Sequence, residues 1–155
     1  MNRLIKNVGL VLVVVIFALF AIGATKKRYG NVEVSRVLRV YDGDTFYCDI
    51  KQWPAIVGYN IGVRINGIDT PEIRGSSASV MDLALQARLL VVNELANARS
   101  VQLWNVKRGK YFRLVADVYV DKRNLARILL NAGLAKRYDG GKRPVWETDD
   151  EKRKD

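Results

Sequence analysis

Five short stretches of the chain are rich in β-branched and other apolar residues, which in places alternate with polar ones, and this pattern predicts five β-strands. The stretches cover residues 32–40, 45–48, 61–65, 101–103 and 112–120. The turn-forming sequence Asp42-Gly43-Asp44 joins the first two stretches, which predicts that they pair as a hairpin. Residues 51–60 contain Trp53-Pro54 and Gly58 and are predicted to be a loop.

Helical spacing appears in two places. From Ser79 to Ala98 apolar residues recur every three or four positions, which predicts a long amphipathic helix. A shorter one is predicted from Leu125 to Ala132, ending at Gly133 in the C-cap region. Five strands, with one helix after the third and one after the fifth, are typical of an OB-type barrel. The predicted fold is therefore α+β and mainly β: a five-stranded OB-type barrel with packed helices.

The N-terminus differs from the rest of the chain. Residues 8–24 form an uncharged apolar run of 17 residues behind Arg3 and Lys6, which predicts a hydrophobic helix. We interpret residues 1–24 as a signal peptide or a membrane anchor, which places the domain outside the cytoplasm, either secreted or periplasmic or tethered by residues 8–24. Residues 25–31 are then a basic linker, residues 32–146 the folded domain, and residues 147–155 a charged flexible tail.

Composition narrows the chemistry. The 155 residues include no histidine and a single cysteine, Cys48, so a catalytic triad with histidine, a histidine-ligated zinc site and an intrachain disulfide are excluded. Acid–base catalysis must use carboxylates, and any bound metal must be a hard ion with oxygen ligands. The formal charge of +10 predicts a polyanionic partner, either nucleic acid or anionic lipid.

Three polar clusters are candidates for this chemistry. Asp42 and Asp44 at the hairpin turn can face one hard cation, although such residues also form ordinary turns. Arg64 on the third strand precedes a stretch, residues 69–72, that carries two acids around the stiff Pro71. At the start of the fifth strand, after the basic turn of residues 107–110, the guanidinium of Arg113 can contact two phosphate oxygens at once.

In this order, residues 40–45, 63–64, 68–72 and 110–113 resemble the motifs of the thermonuclease, or staphylococcal nuclease, family. The resemblance extends over Val34 to Trp146. It implies the OB barrel that the element order also predicts, with a calcium cofactor and DNA and RNA as substrates. It also implies attack on phosphorus with loss of the 5′-oxygen. No protein partner is expected, and we expect a monomer.

The resemblance also implies roles for individual residues. Asp44, Asp69 and the carbonyl of Thr70 correspond to the calcium ligands, and Asp42 to a residue that supports them. Glu72 corresponds to the general base that activates water. The remaining roles are phosphate stabilisation, for Arg64 and Arg113, and substrate binding, for Lys110, Tyr111 and Tyr138.

The chain departs from the family pattern in two places. Phe112 stands where well-known members have glycine, and residues 137–141 lack a pair of spaced tyrosines, so that Tyr138 can replace only one of them. The sequence therefore predicts a calcium-dependent nuclease of low sequence selectivity. A non-catalytic OB-type nucleic-acid-binding module is the main alternative, and a lipid-binding anchored protein is a further one.

Overall fold

The computed structural model describes residues 28–74 and 76–146. The predicted N-terminal helix and the charged tail lie outside this part of the chain. Within it, no helix is both long enough and apolar enough to span a membrane. The strands are β1 (Val32–Glu33), β2 (Arg36–Val40), β3 (Thr45–Asp49), β4 (Ile61–Ile65), β5 (Ile68–Asp69), β6 (Val101–Arg108), β7 (Leu114–Val120), β8 (Arg123–Asn124) and β9 (Lys136–Arg137). The helices are α1 (Ala55–Gly58), α2 (Ala78–Ala96) and α3 (Leu125–Asn131).

The fold is α+β and mainly β, as predicted. Its main sheet has the order β1-β6-β7-β4-β3-β2, with β8 paired to β7. The sheet is curled, because the first predicted strand contributes to both of its ends. Val34 N–H donates to the carbonyl of Val101 at 2.9 Å, whereas Ser35 N–H donates to the carbonyl of Asp49 at 2.8 Å. This curled strand order is consistent with the predicted OB-type architecture.

Several predicted boundaries need correction. The first strand is divided into β1 and β2, and the fifth begins at Leu114 rather than at Phe112, because the preceding residues form a turn. The loop at residues 51–60 contains the single turn of α1. The strands β5, β8 and β9 were not predicted; each is two residues long, too short for a hydrophobic period.

The two predicted helices cover the core. Every buried residue of α2 lies on one stripe at spacings of three or four; these are Val80, Ala84, Ala87, Val91 and Leu95. α3 ends at Asn131 with Ala132 as its C-cap residue, and Gly133 follows with a φ of +70°, which agrees with the predicted helix stop at this glycine. The backbone N–H of Leu134 then donates to the carbonyl of Leu129 at 3.0 Å, which turns the chain toward β9.

The lone cysteine belongs to this core. Cys48 is fully buried in β3, the position predicted for it. Burial, and to a smaller extent the charge of Asp49, raises the pKa of the Cys48 thiol to about 12. The thiol therefore stays protonated and acts as a packing group.

Candidate active site

One guanidinium joins two of the predicted clusters. β3 and β4 pair with Thr45 opposite Arg64, which places Arg64 beside the hairpin turn. Its Nη1 lies 2.6 Å from Oδ2 of Asp44, and its Nη2 lies 3.0 Å from Oδ1 of Asp69. Both carboxylates are buried, with 3% of each residue exposed, so water screens these ion pairs little. Acidic residues 25 positions apart thus meet at one arginine.

The charge of Asp44 is only partly compensated. Burial, and to a smaller extent the neighbouring charge of Asp42, raises the pKa of its carboxyl to about 7 against the lowering effects of Arg64 and of the Thr45 hydroxyl. Asp42 also accepts a hydrogen bond from the Asp44 backbone N–H, with 3.1 Å from N to Oδ1. Asp42 thus stabilises the turn that presents Asp44, which is the supporting position assigned to it.

Thr70 lies against the same turn. Its hydroxyl is buried and, within the described part of the chain, is the one buried side-chain polar atom without a hydrogen-bond partner. A Cβ on Gly43 would lie 2.9 Å from this hydroxyl oxygen and 2.7 Å from the Cβ of Ala87. Only glycine therefore allows the turn, Thr70 and helix α2 to pack so closely.

These groups fit a hard cation by the chemistry of their donors. Two buried carboxylates, of Asp44 and Asp69, and an unpartnered threonine hydroxyl offer only oxygen atoms, as calcium prefers. Between residues 28 and 146, with residue 75 left aside, no three acidic or cysteine side chains lie close enough to hold a metal together. Backbone oxygens and water would have to complete the coordination.

Glu72 is held from the other side of the site. It is exposed, and its Oε1 pairs with Nη1 of Arg143, while Nε of Arg143 lies 3.7 Å from Oδ1 of Asp69. One arginine therefore connects Glu72 to the buried cluster. Asp69, Thr70, Glu72 and Arg143 line a shared cleft of about 420 Å³.

Arg113 lies against β4, the strand that carries Arg64. A Cβ on Gly62 would lie 3.0 Å from Cγ of Arg113, so the arginine stem crosses β4 at that glycine. Gly62 and Arg64 are two residues apart on one strand and share a face of the sheet. Both guanidiniums therefore belong to the same face, although none of the described ion pairs joins Arg113 to the acidic cluster.

The basic turn before β7 holds the neighbouring candidates. Lys110 and Tyr111 are exposed, and the guanidinium of Arg113 lies 5.7 Å from the centre of the Tyr111 ring. Tyr111 and Phe112 have φ values of +55° and +58°. This left-handed backbone favours glycine, so the position where well-known relatives have glycine is one where Phe112 is strained.

Tyr138 is brought to the site by the small sheet of β5 and β9, in which Asp69 is paired with Lys136. The backbone N–H of Tyr138 donates to the carbonyl of Gly67 at 3.0 Å. Its ring centre lies 5.8 Å from the guanidinium carbon of Arg64, which is compatible with a substrate-facing position.

Sequence reasoning missed two residues beside the acids. Arg143 contacts Glu72 and Asp69, and the indole N–H of Trp146 donates to Oδ2 of Asp69 at 3.3 Å. Both follow β9 in a segment without regular secondary structure. Its only sequence signal was an aromatic and a basic residue in a polar stretch, which does not distinguish a site from a surface.

The site therefore consists of a buried acidic pair bridged by Arg64, with a further acid, Glu72, at the adjoining cleft. A sequence profile described as "Staphylococcal nuclease homologue" matches residues 62–154. The chain therefore belongs to the staphylococcal nuclease family.

The chain is also similar, at low sequence identity, to a curated protein. The chain is 29% identical over 96 residues to a "Probable endonuclease LCL3" from Phaeosphaeria nodorum. The match covers 58% of this chain and 32% of that protein, so the chain spans about a third of the relative's length.

Proposed function

We propose that this chain is a calcium-dependent nuclease that hydrolyses DNA and RNA with little sequence selectivity. The observation that carries the proposal is the convergence of Asp44, Arg64 and Asp69, with Glu72 joined to them through Arg143. Family membership and the name of the relative support the same activity. The proposed domain is the OB-type barrel of residues 32–146.

The arginines bind and stabilise the phosphate. Arg64 uses Nη1 for Asp44 and Nη2 for Asp69 and the carbonyl of Ile68, so that Nε–H remains for a phosphate oxygen. Arg113 adds a second guanidinium on the same face of β4. Each is permanently charged and can offset the negative charge that develops on phosphorus, an effect worth several kcal/mol in a site poor in water.

Glu72 is the proposed general base. Its carboxylate is exposed at the cleft, where water and a phosphodiester both have access. Without histidine in the chain, a carboxylate is the residue type available for taking a proton from water. The chain of contacts through Arg143 keeps Glu72 beside Asp69 rather than free in solvent.

Asp44, Asp69 and an oxygen of Thr70 would hold the calcium ion, with Asp42 supporting the turn. A bound divalent ion supplies positive charge that polarises a phosphoryl oxygen. Lys110, Tyr111 and Tyr138 are proposed to contact the nucleotide. All of these contacts address phosphate, sugar or a stacked base, which explains the proposed low selectivity.

Location and assembly are part of the proposal. We place the enzyme outside the cytoplasm, secreted or periplasmic or tethered through residues 8–24, and as a monomer. N-terminal sequencing of the mature protein tests the first point, since a cleaved chain begins after Gly23 or Ala24, whereas a tethered one keeps Arg3.

Digestion of plasmid DNA and of RNA tests the activity. We expect cleavage with calcium, arrest on addition of a chelator and recovery with excess calcium. Asp69→Asn should abolish cleavage, whereas Asp82→Asn, an exposed acid of α2 that contacts Gln86, should not. Binding of nucleic acid without any cleavage would instead support the non-catalytic module.

A further inference from the structure

A second basic surface lies outside the acidic site. A groove of about 620 Å³ runs between the β1–β2 strand and helix α2. Four arginines and one acid line it: Arg36, Arg39, Arg88, Arg99 and Glu33. No residue of the candidate active site is among its lining residues. A groove with this excess of positive charge favours an anionic ligand.

Three of these arginines are held in place by the protein. Arg36 pairs with Asp49, with 2.7 Å between Nη2 and Oδ2, yet 70% of its side chain stays exposed. Arg39 lies 3.6 Å from the centre of the Tyr47 ring. Arg88 donates from Nε to the carbonyl of Val40 at 3.2 Å. Pre-positioned guanidiniums lose less side-chain entropy when they bind phosphate.

The groove is apolar between its charges. Leu38 and Val92 each expose 37% of their surface, on β2 and on α2 respectively, where they face the same groove. An inorganic anion would gain nothing from these side chains. A ligand that carries both phosphates and flat apolar faces would use both kinds of surface, and single-stranded nucleic acid is such a ligand.

One end of the groove adjoins the acidic site. Val40, whose carbonyl accepts the hydrogen bond of Arg88, lies two residues before Asp42. Ala87, the neighbour of Arg88, lies against Gly43 of the same turn. A strand that leaves the Asp42–Asp44 turn can therefore enter the groove directly.

We propose that this groove is an extended binding track for the backbone of single-stranded nucleic acid beyond the cleaved nucleotides. The inference rests on the proposed function in one respect, because that function places the cleaved nucleotides at the acidic site from which the strand enters the groove. The binding itself does not require cleavage. Phosphates contact the four arginines, and bases pack on Leu38 and Val92.

Anisotropy of a fluorescein-labelled single-stranded oligodeoxythymidylate of about 12 nucleotides tests the proposal, a length within the range bound by one OB-type domain. The measurement uses the full chain with a chelator present, so that no cleavage occurs. The variant is Arg88→Gln/Arg99→Gln. Each lost phosphate contact lowers the slope of log affinity against log salt concentration by about 0.7. In the double variant, the ratio of the affinity at about 50 mM salt to that at about 200 mM salt should therefore be roughly sevenfold smaller than in the wild type.

Two double variants serve as controls. Lys122→Gln/Arg127→Gln removes the same charge from exposed residues outside the groove and should keep the wild-type slope. Arg88→Lys/Arg99→Lys retains both charges and should also keep it, which guards against a slope lost through misfolding. An equal reduction in the Lys122/Arg127 variant, or no reduction in the Arg88/Arg99 glutamine variant, overturns the proposal.

Two further measurements separate this inference from its neighbours. If the Arg88→Gln/Arg99→Gln variant lost binding to anionic phospholipid vesicles but bound the oligonucleotide as the wild type does, the groove would be assigned to lipid and the proposal overturned. Absence of cleavage by the wild-type chain contradicts the proposed function alone, since the anisotropy result still decides on the groove. In an active enzyme, the Arg88/Arg99 glutamine variant should raise KM for long strands and leave turnover of a trinucleotide unchanged.

Discussion

Arg64 shows how a single side chain can organise a site. Two buried carboxylates would repel each other, but each lies within 3.0 Å of a different nitrogen of one guanidinium. The compensation is incomplete, because burial still raises the pKa of the Asp44 carboxyl to about 7. A cation bound beside Asp44 would supply the positive charge that Arg64 alone does not provide.

The pH dependence of calcium binding follows from Asp44. A carboxyl with a pKa of about 7 is protonated in more acidic solution, so protons compete with the cation. We expect the calcium affinity to fall about tenfold for each pH unit below about 7. Isothermal titration calorimetry of the wild-type chain between about pH 5 and pH 8 measures this slope.

Asp44→Asn provides the control, and it should bind calcium weakly at every pH.

The raised pKa of Asp44 also sets the sign of the pH dependence of stability in the metal-free protein. The folded state favours the protonated carboxyl of Asp44. Its contribution to the free energy of unfolding is therefore fully present below the ordinary pKa of 3.8 and is lost as the pH rises through about 7. Asp44→Asn should remove that loss. A calcium affinity independent of pH in the wild type would contradict this assignment.

Arg113 tests whether shape matters as well as charge. Its stem is fixed against Gly62, so its planar guanidinium meets a phosphate in a defined orientation. Arg113→Lys keeps the charge but loses the two parallel hydrogen bonds, and we expect kcat to fall roughly 10²–10³-fold. Steady-state kinetics on single-stranded DNA measure the effect, with Arg127→Lys on the exposed face of α3 as the control. Unchanged turnover would show that two-point contact with the phosphate is unimportant.

At the scale of elements, local pattern and tertiary contact contribute differently. The apolar patterns of β4 and β7 and the stripe of α2 are local, so the sequence predicts these elements. The pair β5–β9 is not, because two residues carry no period and their pairing depends on where α3 ends. That pair is what brings the segment with Arg143 and Trp146 to Asp69.

The same limit applies within the site. Asp42, Asp44, Arg64, Asp69 and Glu72 stand in motifs that the sequence displays. The contacts of Arg143 join it to residues 71 and 74 positions away, and nothing in the local sequence encodes them. The strain at Phe112 is also visible only in the backbone, although the family comparison marked the position.

The close packing of the hairpin turn against α2 can be tested by measuring the stability of a variant at Gly43. Gly43→Ala would place a Cβ 2.7 Å from the Cβ of Ala87 and 2.9 Å from the Thr70 hydroxyl oxygen. Overpacking of this kind costs about 1–3 kcal/mol, and it should also displace Asp44. Urea unfolding measures the change in the free energy of unfolding.

Gly141→Ala is the matched substitution, because its Cβ would lie 3.5 Å from Oδ1 of Asp139, an ordinary contact. We expect it to change the free energy of unfolding by less than about 0.5 kcal/mol. If Gly43→Ala were equally neutral, the turn and the helix would not be packed as closely as described.

The whole molecule combines a basic surface with a local acidic site. The formal charge of +10 attracts a polyanion, while Asp44 and Asp69 meet at one buried place where a cation would be held, and Glu72 lines the adjoining cleft. Segments from three parts of the chain must fold together for this to occur. In the proposed function, binding and hydrolysis depend on different groups, and we expect substitution to separate them.

Glu72→Gln makes that separation most directly. The amide keeps the size of the side chain and can still accept from Arg143, but it cannot take a proton from water. We measure calcium-dependent turnover of single-stranded DNA together with its binding in the presence of a chelator. The account predicts a loss of roughly 10²–10⁴-fold in kcat with unchanged affinity. Turnover equal to that of the wild type would contradict it.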